Sequence, residues 1–222
     1  MEKTSILWFR QDLRINDNPA LNESVNSGNK ILPLYILDDV NSKEWKIGSA
    51  SRWWLYNSLK NLNLVLEENL CFMTGDSYKC IEKLTNELNI DSIFFNKCYE
   101  PWRVKNDQMI GDNLESSGIK VNKFNGSLLF EPQFTVKDDN TPYKVFTPFY
   151  RKGCLVNSPE PRVPLTPPSN LNLTNYPQKN LEDLDLLPKK RWYKNFEKEW
   201  TPGEHGAIKK LNQFLNDGLN GY

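Results

Sequence analysis

Five short apolar segments, each followed by a longer amphipathic stretch or a polar loop, restrict this chain more than any other feature. They are Ser5–Phe9, Ile31–Leu37, Cys71–Thr74, Ser92–Asn96 and Val121–Phe124. Segments that are apolar on both faces are typical of parallel strands buried between two layers of helices. Repeated alternation of strand and helix patterns therefore predicts an α/β fold with a doubly wound, five-stranded parallel sheet of the Rossmann-like type.

Local signals place the first two helices between these strands. Asn18 is a suitable N-cap, Pro19 suits the first helical position, and Gly28 ends the first helix. The second helix is expected from Ser49 to Glu68, because four leucines recur there at helical spacing: Leu55, Leu59, Leu62 and Leu66.

Further details of the first half follow from single residues. Pro33 argues against a central position for the second strand, because proline cannot donate a ladder hydrogen bond. Later helices are expected to start at Ser77 and Arg103, and Trp53 and Trp54 should face the core at least in part.

The character of the sequence changes after Phe130. Seven of the 14 prolines lie between Pro159 and Pro188, where the missing N–H groups favour an extended connector over a helix or a central strand. We therefore expect an α/β domain over residues 1–130, a connector over 131–199 and the start of an all-α domain over 200–222.

A last helix is predicted after Trp200. Thr201 is a possible N-cap, Pro202 would be the first helical residue, and Glu204 would complete a capping box. The helix carries an apolar stripe that needs a partner surface, and no later segment up to Tyr222 supplies one: Ile208, Leu211, Phe214 and Leu215. We therefore expect the all-α domain to be incomplete in this sequence.

Composition excludes several classes of function. Lys and Arg (28) balance Asp and Glu (28), so any basic surface for nucleic acid must be local or absent. His205 is the only histidine, and the four cysteines show no CxxC spacing, so we expect neither a zinc site nor a disulfide framework. The sequence also lacks a signal peptide and an apolar run that could span a membrane, which predicts a cytoplasmic chain without a membrane partner, expected to be a monomer.

The loops contain no hydrolytic or phosphate-binding motif. The loop after the first strand carries Arg10, Asp12, Arg14 and Asp17 but no glycine-rich pattern, and it is either a solvated connector or a lattice of ion pairs. His205 is expected on the surface. The acidic pairs at 38–39 and 138–139 are interpreted as solvated turn residues.

The run Asn96–Arg103 differs from these loops, because it combines two aromatic rings, a carboxylate, a guanidinium and a proline. It follows the fourth strand, where open α/β sheets place their ligands. A planar, partly anionic ligand would suit it, and ordinary packing aromatics are the alternative interpretation.

Taken in order, several motifs resemble those of the photolyase and cryptochrome family over essentially the whole chain. They are LWFRQDLR at 7–14 with DNPAL at 17–21, GSASRWWL at 48–55, YEP at 99–101, PYKVFTPFY at 142–150 and PGE at 202–204. Each motif alone is weakly specific, but their occurrence together in the family's order is highly specific.

The resemblance implies an N-terminal α/β domain that binds an antenna chromophore, and a helical domain that binds FAD and damaged DNA. It suggests the N-terminal part of a deoxyribodipyrimidine photo-lyase, a carbon–carbon lyase, and these 222 residues alone are expected to be inactive. Tyr222 matches a tyrosine that contacts the flavin in the family. A cryptochrome-type photoreceptor is the main alternative, and a stand-alone nucleotide- or flavin-binding module is a weaker one.

Antenna contacts carry over from the family by position only. The matching residues are Ile36, Leu37, Asp38, Arg52, Cys98, Glu100, Trp102 and Arg103. Deazaflavin-type members carry an acidic residue where this chain has Cys98, and enterobacterial-like members carry an Asn-Glu pair where it has Trp102-Arg103. The loop is more similar to a bacterial subgroup that holds a folate against tryptophan, so methenyltetrahydrofolate is favoured, with a deazaflavin or a flavin as alternatives.

Overall fold

The computed structural model describes residues 2–177 and 179–221. Within them, five parallel strands form one sheet in the order β3-β2-β1-β4-β5, which confirms the predicted doubly wound sheet. The strands are β1 (Thr4–Phe9), β2 (Lys30–Leu37), β3 (Cys71–Thr74), β4 (Ile90–Asn96) and β5 (Lys120–Phe124).

Four helices connect these strands: α1 (Pro19–Asn26), α2 (Ser49–Val65), α3 (Ser77–Glu87) and α4 (Pro101–Ser116). The Asn18 side chain accepts a hydrogen bond from the Leu21 N–H at 3.2 Å, as predicted for the cap of α1. Helix α2 ends three residues before the predicted Glu68, because Glu67 and Glu68 have positive φ angles of 52° and 61°.

Two apolar layers enclose the sheet. Leu7 and Phe9 of β1 pack with α1 and α2 on one face, whereas Ile6 and Trp8 pack with α3 and α4 on the other. The predicted leucine face of α2 is confirmed, since Leu59, Leu62 and Leu66 are buried. Trp53 is buried as expected, but Trp54 is 41% exposed.

Pro33 argued against a central position for β2, and that expectation is wrong, because β2 lies between β1 and β3. In a parallel strand, the N–H and C=O of one residue point to the same neighbour. The Ile31 N–H donates to the Asn172 carbonyl, and the Ile31 carbonyl accepts from the Thr174 N–H. Because backbone groups two residues apart in a strand point the same way, Pro33 also faces the side of β2 on which Asn172 and Thr174 lie. The ladder to β3 begins only at Leu34, and the missing donor of Pro33 therefore breaks no sheet hydrogen bond.

The second half of the chain contains short helical elements, several of which pack on α2 or β3. They are α5 (Phe146–Pro148), a π-helical segment at Phe149–Asn157, 3-10 turns at Leu181–Leu184 and Trp192–Asn195, α6 (Phe196–Glu199) and α7 (Glu204–Gln213). Between 159 and 180 the described residues contain no helix, in agreement with a proline-rich extended segment.

The predicted capping box of the last helix is wrong. The helix begins at Glu204, and its N-cap is Gly203, which has a φ of 96° and no side chain to cap with. The Glu204 carboxylate bonds instead to the loop that follows β1. The apolar stripe is 40–55% exposed at Ile208, Leu211, Phe214 and Leu215.

Candidate functional site

A cavity of about 810 Å³ lies at the carboxyl ends of β1 and β2. Its walls come from the end of β2, the loop after β1, the first half of α2, the start of α4 and the cavity-facing side of α7. Its volume lies in the range that holds cofactor-sized ligands, and its position matches the edge where open α/β sheets bind them.

Arg10, on the cavity wall, is the best-held charge in the site. Its guanidinium lies 4.8 Å from the centre of the Trp8 ring and 4.7 Å from that of Phe95. It donates to both carboxylate oxygens of Asp107, at 2.6 and 2.7 Å, and to the backbone carbonyl of Asn96. Burial raises the pKa of Asp107 above its usual value, although the Arg10 charge opposes that rise.

The rest of the loop after β1 is fixed mainly by hydrogen bonds to backbone groups, and not by the ion pairs within the loop that one of the two sequence interpretations proposed. Arg14 donates to the carbonyl oxygens of Asn16, Asp17 and Gly126, at 3.0, 2.9 and 2.6 Å. The side chain of Asp12 accepts from the Arg10 N–H at 2.9 Å. These bonds fix the loop that forms the cavity wall, so it is not a freely solvated connector.

Glu204 joins α7 to this loop. Its carboxylate accepts from the backbone N–H groups of Ile15 and Asn16, at 3.0 and 2.8 Å, and from the Asn16 side chain at 2.7 Å. Asn61 of α2 donates to the Pro202 carbonyl at 2.8 Å beside it. The first turn of α7 is therefore fixed on two sides, and it brings Ala207, Ile208 and Leu211 to the cavity.

Asp38 does not behave as the solvated turn residue that the sequence suggested. It accepts hydrogen bonds from the backbone N–H and side chain of Asn41 and from the backbone N–H and hydroxyl of Ser77, at 2.6–3.0 Å. Burial alone would raise its pKa, but these hydrogen bonds together outweigh burial and hold the pKa of Asp38 below its usual value. Asp38 therefore carries a negative charge that is already satisfied by protein groups.

The start of α4 presents Trp102 and Arg103 to the cavity. The Arg103 guanidinium lies 4.5 Å from the centre of the Trp102 ring and covers one of its faces. Its Nε is 3.5 Å from a Glu100 oxygen, is buried, and has no hydrogen bond within the described part of the chain. Glu100 itself accepts from the Gln11 side chain at 2.5 Å.

The structure brings five of the eight predicted antenna residues to the cavity: Ile36, Leu37, Asp38, Trp102 and Arg103. The other three do not line it. Arg52 binds the Asp39 carboxylate and the Ile47 carbonyl, Glu100 is half-exposed beside Gln11, and Cys98 is buried, which raises the pKa of its thiol to about 11. Tyr222, the predicted flavin contact, lies outside the described residues.

Sequence reasoning missed the contributions of α2 and α7 to this cavity. On α2, the residues at the cavity are Ser51, Trp54, Leu55 and Ser58, which recur at helical spacing. That second stripe is a sequence signal for a second face of α2, but it is weaker than the leucine face because two of its four residues are serines. The contribution of α7 depends on the Glu204 contact, which has no local signal.

Comparison with known proteins agrees with this architecture. Residues 5–168 match the family model described as DNA photolyase. Among curated relatives, a deoxyribodipyrimidine photo-lyase of Agrobacterium fabrum is 37% identical over 98% of this chain and 46% of its own length. Cryptochrome-1 of Arabidopsis thaliana is 31% identical over 98% of this chain and 33% of its own length.

Two solved structures share this fold. A bacterial class III photolyase from Agrobacterium tumefaciens superposes with a TM-score of 0.86 and 35% identity, over 97% of this chain and 45% of that one. An archaeal photolyase from Sulfolobus tokodaii, solved with two FAD molecules, has a TM-score of 0.67 and 23% identity, over 84% and 42%. The chain thus spans less than half the length of each of these relatives.

Proposed function

The chain belongs to the DNA photolyase family, and we propose that it is the antenna-binding α/β part of a deoxyribodipyrimidine photo-lyase that repairs pyrimidine dimers in DNA. The observation that carries this proposal is the cavity at the strand ends, where five of the eight positions implied by the family motifs meet. In this proposal, the pyrimidine dimer and most of the FAD are bound by segments of the family that these 222 residues do not match.

The residues of the cavity suit a planar chromophore. The wall carries Trp102 and Trp54, the apolar side chains of Ile36 and Leu37 lie at the end of β2, and the volume of about 810 Å³ is sufficient for a folate or a flavin. One face of Trp102 is covered by Arg103, so a ligand ring would stack on the other. When bound, the chromophore would absorb near-ultraviolet or blue light and pass the excitation energy to the flavin.

The charges of the cavity assign the remaining roles. Asp107 neutralises Arg10, and Asp39 neutralises Arg52. The hydrogen bonds of Arg14 hold the loop after β1 in place. Arg103 forms an ion pair with Glu100 at 3.5 Å, longer than the 2.6 Å pair of Arg10 and Asp107, and it lies on the cavity wall beside Trp102. We therefore assign Arg103 the countercharge for an anionic ligand tail. Asp38 orders the turn after β2, and its hydrogen bonds leave it little capacity to bind a ligand.

Methenyltetrahydrofolate is the chromophore that we favour. The support is the tryptophan at 102, together with Cys98, which is a buried neutral thiol where deazaflavin-type relatives have an acid. A deazaflavin or a flavin is the second candidate for the same cavity, because either is planar and of similar size. The proposal therefore requires stacking on Trp102, whichever ring is bound.

A cryptochrome-type photoreceptor is the second candidate function. The observation in its favour is the 31% identity to Cryptochrome-1 of Arabidopsis thaliana over almost the whole chain. A stand-alone nucleotide-binding module is disfavoured, because the family match extends to residue 168, beyond the last strand.

Titration of three chromophores into the purified chain tests the antenna site. We expect methenyltetrahydrofolate, and if not that then flavin mononucleotide or a 5-deazaflavin, to bind with a shift in its absorbance. Trp102→Ala should weaken that binding about 5- to 150-fold, the effect of losing one stacked ring. Trp192→Ala, which removes an exposed tryptophan outside the cavity, should leave it unchanged. Equal affinity of wild type and Trp102→Ala would refute the stacking role, and no binding of any of the three would refute the antenna assignment.

A further inference from the structure

A cluster of cations, which we call the basic segment, lies near the end of the predicted connector, before α7. It consists of Lys189, Lys190, Arg191, Lys194 and Lys198, and all five are exposed. None of them forms an ion pair within the residues that the structure describes, whereas Glu197 is the only acid within this stretch of ten residues. A chain with 28 basic and 28 acidic residues thus carries a local excess of positive charge here.

The basic segment is held firmly against α2. Tyr193 is buried and stacks on Trp53, with ring centres 6.2 Å apart and an angle of 30°. Phe196 contacts the same ring edge-on at 5.7 Å. Because these two aromatic rings anchor the 3-10 turn and α6, the five cations are displayed on an ordered surface.

Trp192 lies within this surface and is 39% exposed. Its ring meets the rings of Tyr193 and Phe196 edge-on, at 5.9 and 5.5 Å and angles of 79° and 88°. Both contacts are T-shaped, so neither ring stacks in parallel on Trp192, and its exposed fraction remains open to a base. An exposed tryptophan held among unpaired cations is the arrangement that binds a nucleic-acid strand, since cations contact phosphates and the ring stacks on a base.

We propose that the basic segment binds single-stranded or locally unpaired DNA, with the five cations on phosphates and Trp192 stacked on an exposed base. The surface is separate from the chromophore cavity, and the proposal does not depend on which chromophore is bound. A lipid surface is disfavoured, because α6 has four residues and Phe196 is turned toward Trp53, so no amphipathic helix is present in this segment.

Salt dependence gives the proposal a quantitative form. Each phosphate contact to a single strand contributes a slope of about −0.7 in a plot of log affinity against log salt, so five contacts give about −3.5. Replacing Lys189, Lys190 and Arg191 together by glutamine should remove three contacts and change the slope by about 2. The stacking of Trp192 is not ionic, so its loss should leave the slope unchanged.

Fluorescence anisotropy with a labelled 12-nucleotide oligothymidylate tests these expectations, beginning at about 50 mM salt, where ionic contacts are weakly screened. The triple variant K189Q/K190Q/R191Q is compared with K105Q/K209Q/K210Q, which removes three exposed lysines elsewhere. We expect a loss of slope and affinity in the first variant only. Equal losses in both, or no binding of the oligonucleotide by wild type, would overturn the proposal.

Trp192→Ala separates stacking from charge. It should weaken oligothymidylate binding about 5- to 150-fold at unchanged slope, while a fully paired duplex of equal length loses less affinity. An equal loss for duplex and single strand would overturn the stacking assignment.

Vesicles containing phosphatidylserine form the second arm of the test. Binding to vesicles without binding to DNA would identify a membrane surface and overturn the DNA assignment. Chromophore titrations of the same variants should be unchanged, which separates this result from the antenna proposal.

Discussion

The sheet region, residues 4–124, and the later region, residues 125–221, are held in place by different means. In the sheet region, parallel strands bury both faces, and the side chains of β1 beyond Thr4 are at most 3% exposed. The later region shares part of that core, since Leu181, Leu184 and Leu186 are buried in the apolar layer of α1 and α2. The rest of it is held by separate contacts with the sheet region: Arg162 and Leu165 on Asp17, Asn172 and Thr174 on Ile31, Tyr193 on Trp53, and Glu204 on the loop after β1.

This difference shows how the cavity is built. The sheet region supplies the strand ends and their loops from its own core, but one wall is formed by α7, whose position depends on Glu204 and Asn61. Changes inside the core should therefore unfold the whole chain. Changes at the Glu204 and Asn61 contacts should loosen α7 and open the cavity, while the sheet remains folded.

Removal of Trp53 should give the largest loss of stability, because this buried residue of α2 also contacts the later region. Trp53 is 2% exposed and carries the anchoring rings of Tyr193 and Phe196. We expect Trp53→Ala to lower the free energy of unfolding by about 3–5 kcal/mol, as is usual for a buried tryptophan. Denaturant unfolding followed by circular dichroism measures it.

The neighbouring Trp54 is the matched control, since it is 41% exposed and lines the cavity. Trp54→Ala should cost clearly less stability than Trp53→Ala. Equal costs would show that the burial of Trp53 and its contacts with Tyr193 and Phe196 add no stability, and that Trp53 does not link the two regions.

Removal of the Glu204 carboxylate should give an intermediate loss of stability, confined to the contact between α7 and the loop after β1. Glu204→Ala leaves the Ile15 and Asn16 N–H groups without their acceptor, and we expect a loss of about 1–2 kcal/mol, since the site is partly exposed. Amide exchange at Ile15, Asn16 and α7 should become faster while exchange in β4 stays slow. Glu199→Ala, an exposed acid of α6, should change neither, and acceleration throughout the sheet would contradict a local contact.

The same division explains how much the sequence could predict. The strands, the sheet type and the leucine face of α2 follow from periodicity, which is a local property, and they are confirmed. Pro33 was misread because its tolerance depends on where β3 begins. The Glu204 capping box was wrong because a partner 188 residues away competes for the carboxylate. Within the site, the family match by position predicted that Arg52 contacts the ligand, but Arg52 forms an ion pair with Asp39 and does not line the cavity.

Loss of the Asp17 charge should give the smallest loss of stability, and a pH titration can detect it. Its carboxylate binds Arg162 and accepts from the Leu165 N–H at 3.0 Å, so it ties the connector to the sheet region. Burial alone would raise its pKa, but the hydrogen bonds and charges of Arg162, Leu165 and Arg14 together hold the pKa of Asp17 below the ordinary value of 3.8. A lowered pKa means that its stabilisation is complete above about pH 4 and is lost as the pH falls through the folded-state pKa.

We therefore expect the Leu165 amide resonance to shift with a midpoint below pH 3.8 in wild type, whereas Asp17→Asn should remove that titration. Asparagine tolerates the positive φ of 50° at this position, so the loop itself should survive the substitution. The loss in the free energy of unfolding at neutral pH should be only about 0.2–1 kcal/mol, because the pair is partly exposed. Asp138→Asn, an exposed acid of the later region, is the control and should leave the Leu165 titration intact. A Leu165 midpoint at or above the ordinary value would show that Asp17 does not hold the connector, and the later region would then depend on its remaining contacts with the sheet region.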